Sequence, residues 1–293
     1  MQSVIRIGSR ESRLAVRQAE IVKEELIRCN PQLSVEIITM KTTGDKILDK
    51  SLALIGGKGL FVKELDLALK EGKIDLAVHS LKDMPMEENE EFPILAYGKR
   101  EDPRDVMIFG PSGTLPSDPV IGTSSRRREI QLQKYYPKAQ FRGIRGNVQT
   151  RLRKLQEEGY DGTILSAAGL KRLGMEHIIG KYFSVEELIP AAGQGILAIQ
   201  GSRDLDKNLI SCLDHRESRI AAESERAFIR TLDGGCTSPC AAHAQVSGDL
   251  VKMCGLYYQE EQEKSIVETI CFHASEAKQC AVQFAEKLKR ENG

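Results

Sequence analysis

Tryptophan is absent, and aromatic residues make up only 5% of the 293-residue sequence, so a nucleic-acid binder built on aromatic stacking platforms is disfavoured. No stretch is apolar for long enough to cross a bilayer, and Met1 to Arg10 has no apolar core of the kind a secretion signal needs. Secretion and membrane insertion are therefore not expected. A surplus of one charge is missing too: 42 Lys and Arg balance 42 Asp and Glu, so anions must be drawn by local clusters rather than by a global field. The seven cysteines (29, 212, 236, 240, 254, 271 and 280) are odd in number and scattered, which argues against a disulfide framework and for reduced thiols. The expected location is the cytoplasm. Internal repeats, heptads and low-complexity segments are also missing.

What is present is an ordinary globular composition, 41% hydrophobic and 29% charged, in a chain long enough for two or three domains. The opening reads as a β-α-β unit: a strand at Val4 to Ile7, a helix from Ser12 to Cys29 stopped by Asn30-Pro31, and a strand from Val35 to Met40. A glycine loop at Ile55 to Gly59 leads into a helix to Glu71 and a buried-type strand from Ile74 to His79. After the turn-rich stretch Arg100 to Pro119 the pattern restarts, with strands at Val120 to Gly122, Gln140 to Ile144 and Gly162 to Ser166 and helices at Arg126 to Tyr136 and Val148 to Glu158. This alternation predicts two similar α/β lobes with mostly parallel sheets, whose ligands sit at the carboxyl ends of the strands. From Arg216 the sequence reads as a small α+β domain: a helix, the loop Asp233 to Cys236, three strands and a final helix at Ser275 to Lys289.

Between Arg126 and Lys154 ten Lys or Arg face a single acid, Glu129. Three of them, Arg126, Arg127 and Arg128, occupy the first turn of a helix, where the dipole disfavours cations unless an anion sits among them. That predicts a multiply charged small anion, although a capped surface helix with solvated charges accounts for the same pattern. Arg142 to Asn147 repeats the arrangement, with Arg151 one turn further on; a plain βα turn is its bland alternative. Asp83 stands just beyond a buried strand, suited to stabilising a cation or simply to forming a turn beside Lys82. His79 reads as a satisfied strand-end residue. Lys58 does not complete a phosphate loop, because Gly59 follows it, so Lys58 and Phe61 read as parts of a loop able to reach the cleft. Cys236 lies on a Gly-Gly loop. Its spacing to Cys240 and His243 offers no fourth metal ligand, so no metal is expected and a carrier or nucleophilic thiol is favoured.

In their order along the chain these segments resemble the porphobilinogen deaminase family, from Arg6-Ile7-Gly8-Ser9-Arg10 through Val78 to Pro85, Arg100 to Asp105, Gly122 to Arg128, Ala168 to Gly174 and Ile189 to Gly195 to the Gly-Gly-Cys loop. The resemblance implies two periplasmic-binding-protein-like α/β lobes with a hinge, residues 1–98 with 193–213 and residues 99–192, plus a C-terminal α+β domain, 214–293. It implies four head-to-tail condensations of porphobilinogen with loss of ammonia, giving hydroxymethylbilane, on a dipyrromethane cofactor joined to Cys236 by a thioether. Lys82, Asp83, Thr123, Ser125, Arg127, Arg128, Arg145 and Gly146 would hold that cofactor. Arg10, Ser12, Lys58, Phe61, Arg145, Arg151, Arg172 and Gln194 would bind substrate, and Asp83 would be catalytic by stabilising the cationic azafulvene left when ammonia departs. A monomer without nucleic-acid partners follows from the same likeness. The sequence departs from the family pattern at Arg126, Thr237-Ser238, Cys240 and Gln200. The rival reading is a two-lobed small-anion binding or sensor module without catalysis.

Overall fold

The computed structural model describes residues 4–42, 62–87, 89–233, 239–260 and 262–291. Strand β1 (Val4–Arg10) leads into helix α1 (Arg13–Cys29) and strand β2 (Ser34–Met40), as the opening pattern predicts. Ser12 caps α1 by accepting a hydrogen bond from the Ala15 backbone N–H at 3.3 Å, one of the donors a helix start leaves open. The helix buries Ala15, Gln18, Ala19, Val22 and Leu26, a stripe at helical spacing, against the first sheet. Helix α2 (Lys63–Lys70) carries Glu64 and Asp66 in its first turn, where the dipole favours acids, and precedes strand β3 (Leu76–Ser80). Strands β4 (Ile94–Tyr97) and β5 (Asp105–Phe109) follow.

The second lobe contains β6 (Val120–Gly122), α3 (Arg126–Leu132), β7 (Gln140–Arg142), α4 (Val148–Glu157), β8 (Gly162–Ser166), α5 (Ala167–Arg172) and β9 (Lys181–Tyr182). The chain then returns to the first lobe as β10 (Leu197–Gly201). The strand orders are β2-β1-β3-β10-β4 and β7-β6-β8-β5-β9. In each sheet three parallel strands are followed by two antiparallel neighbours, so the two lobes share one plan. The sheets are thus mixed rather than mostly parallel. The difference comes from β4, β5, β9 and β10, which flank the segments crossing between the lobes. Strand β5 hides among Pro103, Gly110, Pro111 and Pro116, whose turn signals dominate a five-residue run.

The third unit has helix α6 (Arg216–Thr231), the antiparallel sheet β11 (Ala241–Ser247), β12 (Leu250–Gln259) and β13 (Lys264–His273), and helix α7 (Ala277–Arg290). Both helices pack on that sheet, with the Phe228 and Phe284 rings 5.2 Å apart. A Cβ at Gly255 would stand 2.5 Å from Phe228, so only glycine lets β12 pass beneath the two rings. No helix among the described residues is long and apolar enough to cross a membrane.

Candidate functional site

Loops at the carboxyl ends of strands from both lobes converge. Strand β1 ends at Arg10, next to the α1 cap Ser12, and β3 runs into a 3-10 turn, Leu81–Asp83, which leaves Asp83 exposed. Asp83 lines a cavity of about 60 Å3 together with Arg10, Ser12, Gln18, His79 and Ser80. From the second lobe come Thr123, whose Oγ1 accepts a hydrogen bond from the Ser125 backbone N–H at 3.1 Å, and the turn at Arg145-Gly146. Gly146 has φ +116°, and a Cβ there would stand 2.5 Å from Thr150, so the turn that aims this loop requires glycine. Asn147 then caps α4 on the Thr150 backbone N–H at 2.9 Å, and Arg151 donates from Nε to the Gly146 carbonyl at 2.9 Å.

The charges of these residues act on one another. Burial pushes Arg151 down to about 10, Arg128 and Arg145 push the same way, and Asp83 opposes them. Burial likewise lowers Lys82 to about 8, against Asp83 and Asp105 and together with Arg128 and Arg127. Arg10 and Asp83 both act on His79, which burial holds at about 4. Arg10, Lys82, Asp83, Arg128, Arg145 and Arg151 therefore share one electrostatic neighbourhood, a cationic cleft with an exposed carboxylate in it.

Beneath it lies a network that sequence reasoning missed. Arg127 and Arg128 are buried and both meet Asp105, at 2.8 and 2.7 Å, while also donating to the Ile189 and Ile164 carbonyls at 2.6 and 2.9 Å. Gln194 donates to Asp105 Oδ1 at 2.9 Å and to the Pro103 carbonyl at 2.6 Å, and accepts from Lys82 Nζ at 3.3 Å. The anion that the helix dipole calls for among the arginines is thus, in the first instance, the protein's own Asp105. Arg126 points elsewhere, to Glu129 at 2.9 Å and over the Tyr258 ring at 5.8 Å. The available signal was the acid at the head of the apolar run Asp105-Val106-Met107-Ile108: a carboxylate there is buried and needs cations. Arg128 Nε is buried and finds no hydrogen-bond partner among the described residues.

Arg172 stands at the lobe crossover, donating to the Gly195 carbonyl at 2.6 Å, and burial lowers its pKa to about 10 against the pull of Glu101. His79 is buried, as its strand-end position predicts, and Nε2 lies 2.9 Å from Gln200 Oε1. Cys236, Lys58 and Phe61 lie outside the described residues.

Two family models match the chain: "Porphobilinogen deaminase, dipyromethane cofactor binding domain" over residues 5–210, and "Porphobilinogen deaminase, C-terminal domain" over residues 219–290. A porphobilinogen deaminase of Acetivibrio thermocellus is 51% identical over 86% of this chain and 87% of its own length. That of Geobacter sulfurreducens is 43% identical over 99% of this chain and 92% of its own. Among solved structures, the BenM effector-binding domain with its effector benzoate superposes with a TM-score of 0.44 at 15% identity, over 73% of this chain and 89% of that one.

Proposed function

The chain belongs to the porphobilinogen deaminase family, and from that premise we propose how its residues carry the reaction. It is a transferase, a hydroxymethylbilane synthase, that condenses four porphobilinogen molecules head to tail with release of ammonia and uses a dipyrromethane cofactor. When bound, that cofactor supplies an anchored pyrrole whose free end is the nucleophile for the first incoming unit. Cys236 is its attachment point in this reading. The donor set fits such a group: each pyrrole carries an acetate and a propionate, and guanidinium groups bind carboxylates through paired, charge-assisted bonds. Arg128, whose buried Nε has no hydrogen-bond partner among the described residues, and Arg145, Thr123, Ser125 and Lys82 face the cofactor, with Arg127 fixed behind them by Asp105. Gly146 lets the loop approach closely. Arg10, Ser12, Arg151 and Arg172 serve the substrate and the growing chain, with Lys58 and Phe61 reaching in, and Gln194 holds Lys82 in line.

Asp83 carries the chemistry. As ammonia leaves the aminomethyl group the substrate becomes cationic, and a carboxylate in a cleft of guanidinium groups stabilises that charge while accepting hydrogen bonds from pyrrole N–H groups. The single observation behind this assignment is an exposed Asp83 amid Arg10, Lys82, Arg128, Arg145 and Arg151. The boundaries 1–98 with 193–213, 99–192 and 214–293, a cytoplasmic location and a monomer complete the proposal. Intact-protein mass spectrometry tests it: a dipyrromethane adduct is expected and Cys236→Ala should abolish it, whereas an adduct that survives the substitution refutes the attachment point. Asp83→Asn should keep the adduct and lower turnover by roughly 10²–10³-fold, and near-normal turnover refutes the role of Asp83.

A further inference from the structure

Among the described residues nothing hydrogen-bonds to the Asp83 side chain, so its place in the cleft depends on the backbone of the turn Leu81–Asp83 that carries it. The front of this turn is fixed by the segment that crosses back into the first lobe. The Leu81 N–H donates to the Ile196 carbonyl at 3.0 Å, and a Cβ at Gly193 would stand 2.6 Å from Leu81. The back of the turn is fixed from the third unit. Met84 is extended, as a residue before proline prefers, and leads the chain to Pro85 and Met86. There Arg226, on α6 and only 4% exposed, donates from one guanidinium nitrogen to the Pro85 carbonyl at 2.5 Å and to the Met86 carbonyl at 3.2 Å. Ala222, one helical turn earlier on α6, is buried with Leu81 and Met84, and Met86 packs against the core of the third unit. Helix α6 is itself pinned to both crossing segments. The buried Glu225 accepts paired bonds from Arg100 at 2.9 and 2.8 Å and a third from the Gly193 backbone N–H at 2.7 Å.

We propose that Arg226 is a positioning residue for the reaction: from the third unit it holds the Pro85 and Met86 carbonyls and, through them, sets where the Asp83 carboxylate meets the substrate. The inference rests on the assignment of Asp83 as the stabilising carboxylate. Pro85 has no N–H, so its peptide can be tied down only through its carbonyl, and a carbonyl turned away from water needs a donor. A guanidinium suits the task because it stays charged and its planar array of N–H groups can serve two acceptors at once. Without it, Leu81 and Met84 remain buried against Ala222, so the turn keeps its fold and loses one anchor. A carboxylate that drifts from its place is then poorly aligned with a charge that develops only in the transition state. Binding of the substrate carboxylates belongs to the cations of the cleft, so the loss should fall on kcat rather than on KM.

The test compares the full-length holoenzyme, its dipyrromethane load verified by intact mass, with Arg226→Met, Asp83→Asn and the double variant. Arg226→Met should keep the adduct, lower kcat by roughly 10–10²-fold and leave KM for porphobilinogen within about threefold of the unsubstituted value. Arg226→Lys, which keeps a donor on a stem of similar length, should recover part or all of the lost kcat. Because Arg226 acts through Asp83, the double variant should turn over no more slowly than Asp83→Asn alone, whereas a general weakening of the fold would multiply the two losses. Near-normal kcat in Arg226→Met, a loss confined to KM, no recovery in Arg226→Lys, or losses that multiply in the double variant overturn the role of Arg226 and leave that of Asp83 standing. Near-normal turnover in Asp83→Asn overturns both. Should Arg226→Met fail to fold, Arg226→Gln, too short to reach the two carbonyls in the same way, takes its place with the same expected and overturning results.

Discussion

Asp105→Asn tests whether one buried carboxylate holds the cations under the cleft. The substitution keeps the side-chain shape and removes the charge that faces Arg127 at 2.8 Å and Arg128 at 2.7 Å. Each guanidinium keeps its bond to a carbonyl, Ile189 or Ile164, so what disappears is the anion between two like charges. The amide nitrogen would also direct N–H bonds at a cation. Removing one member of a buried ion pair costs about 3–5 kcal/mol, and with two cations sharing the lost partner we expect the upper half of that range. Urea denaturation reads it as a lower midpoint at unchanged m-value. Burial by itself raises the Asp105 pKa, but the two arginines and Lys82 more than reverse this and hold it well below the usual carboxylate range. With the folded value below the unfolded one, the stabilisation is complete above the unfolded carboxylate pKa of about 3.9 and is lost as pH falls through the folded value. The gap between wild type and variant should therefore narrow on strong acidification. A loss under about 1 kcal/mol at neutral pH, or a gap that does not change with acid, refutes the reasoning.

Lys82 loses its charge near pH 8, because burial outweighs the attraction of Asp83. If its cation binds substrate carboxylates, KM for porphobilinogen should rise above about pH 8 in the wild type, and this limb should be missing in Lys82→Arg, whose side chain stays charged; a flat wild-type KM through that range counts against the assignment. Gln200 donates its amide hydrogens to Asp66 Oδ1 and the Phe92 carbonyl, both at 2.9 Å, so its oxygen can only accept and His79 must carry its proton on Nε2. Gln200→Glu places a carboxylate on that proton and should raise the His79 pKa from about 4 toward its ordinary value, as followed by an NMR titration of the ring; an unmoved value rejects this hydrogen-bond assignment.

Much of the fold could be read from periodicity. The strand–helix alternation of the first forty residues and of residues 120–166 marks elements that lie within a residue or two of their observed ends in most cases, because Ser12, Asn30-Pro31 and Asn147 are local stop and start signals. The exceptions are helix α3, ending at Leu132 rather than Tyr136, and strand β1, running on to Arg10 rather than stopping at Ile7. Strands β4, β5, β9 and β10 escaped notice because they are short and sit in turn-rich sequence, and β10 pairs with strands more than a hundred positions away. Nothing local announces such a pairing.

Most of the described residues gathered at the candidate cleft could be picked out in the sequence, but not their division into two layers. A row of arginines at a helix start has no side-chain direction in sequence, so Arg126, Arg127 and Arg128 looked equivalent, whereas the fold sends Arg126 outward and the other two onto Asp105. The inner layer answers a problem that the outer one creates. Among the described residues, the cations Arg10, Lys82, Arg127, Arg128, Arg145 and Arg151 share the region with the carboxylates Asp83 and Asp105, and like charges drawn together out of water repel one another strongly. Asp105 relieves that repulsion at the base of α3, where it is buried beyond the reach of a ligand. Asp83, at the exposed turn, leaves the cations above it undercompensated. A chain of pyrroles gaining two carboxylates with every unit is the kind of polyanion that such a surplus accommodates, and a fully neutralised cleft would have little reason to hold it.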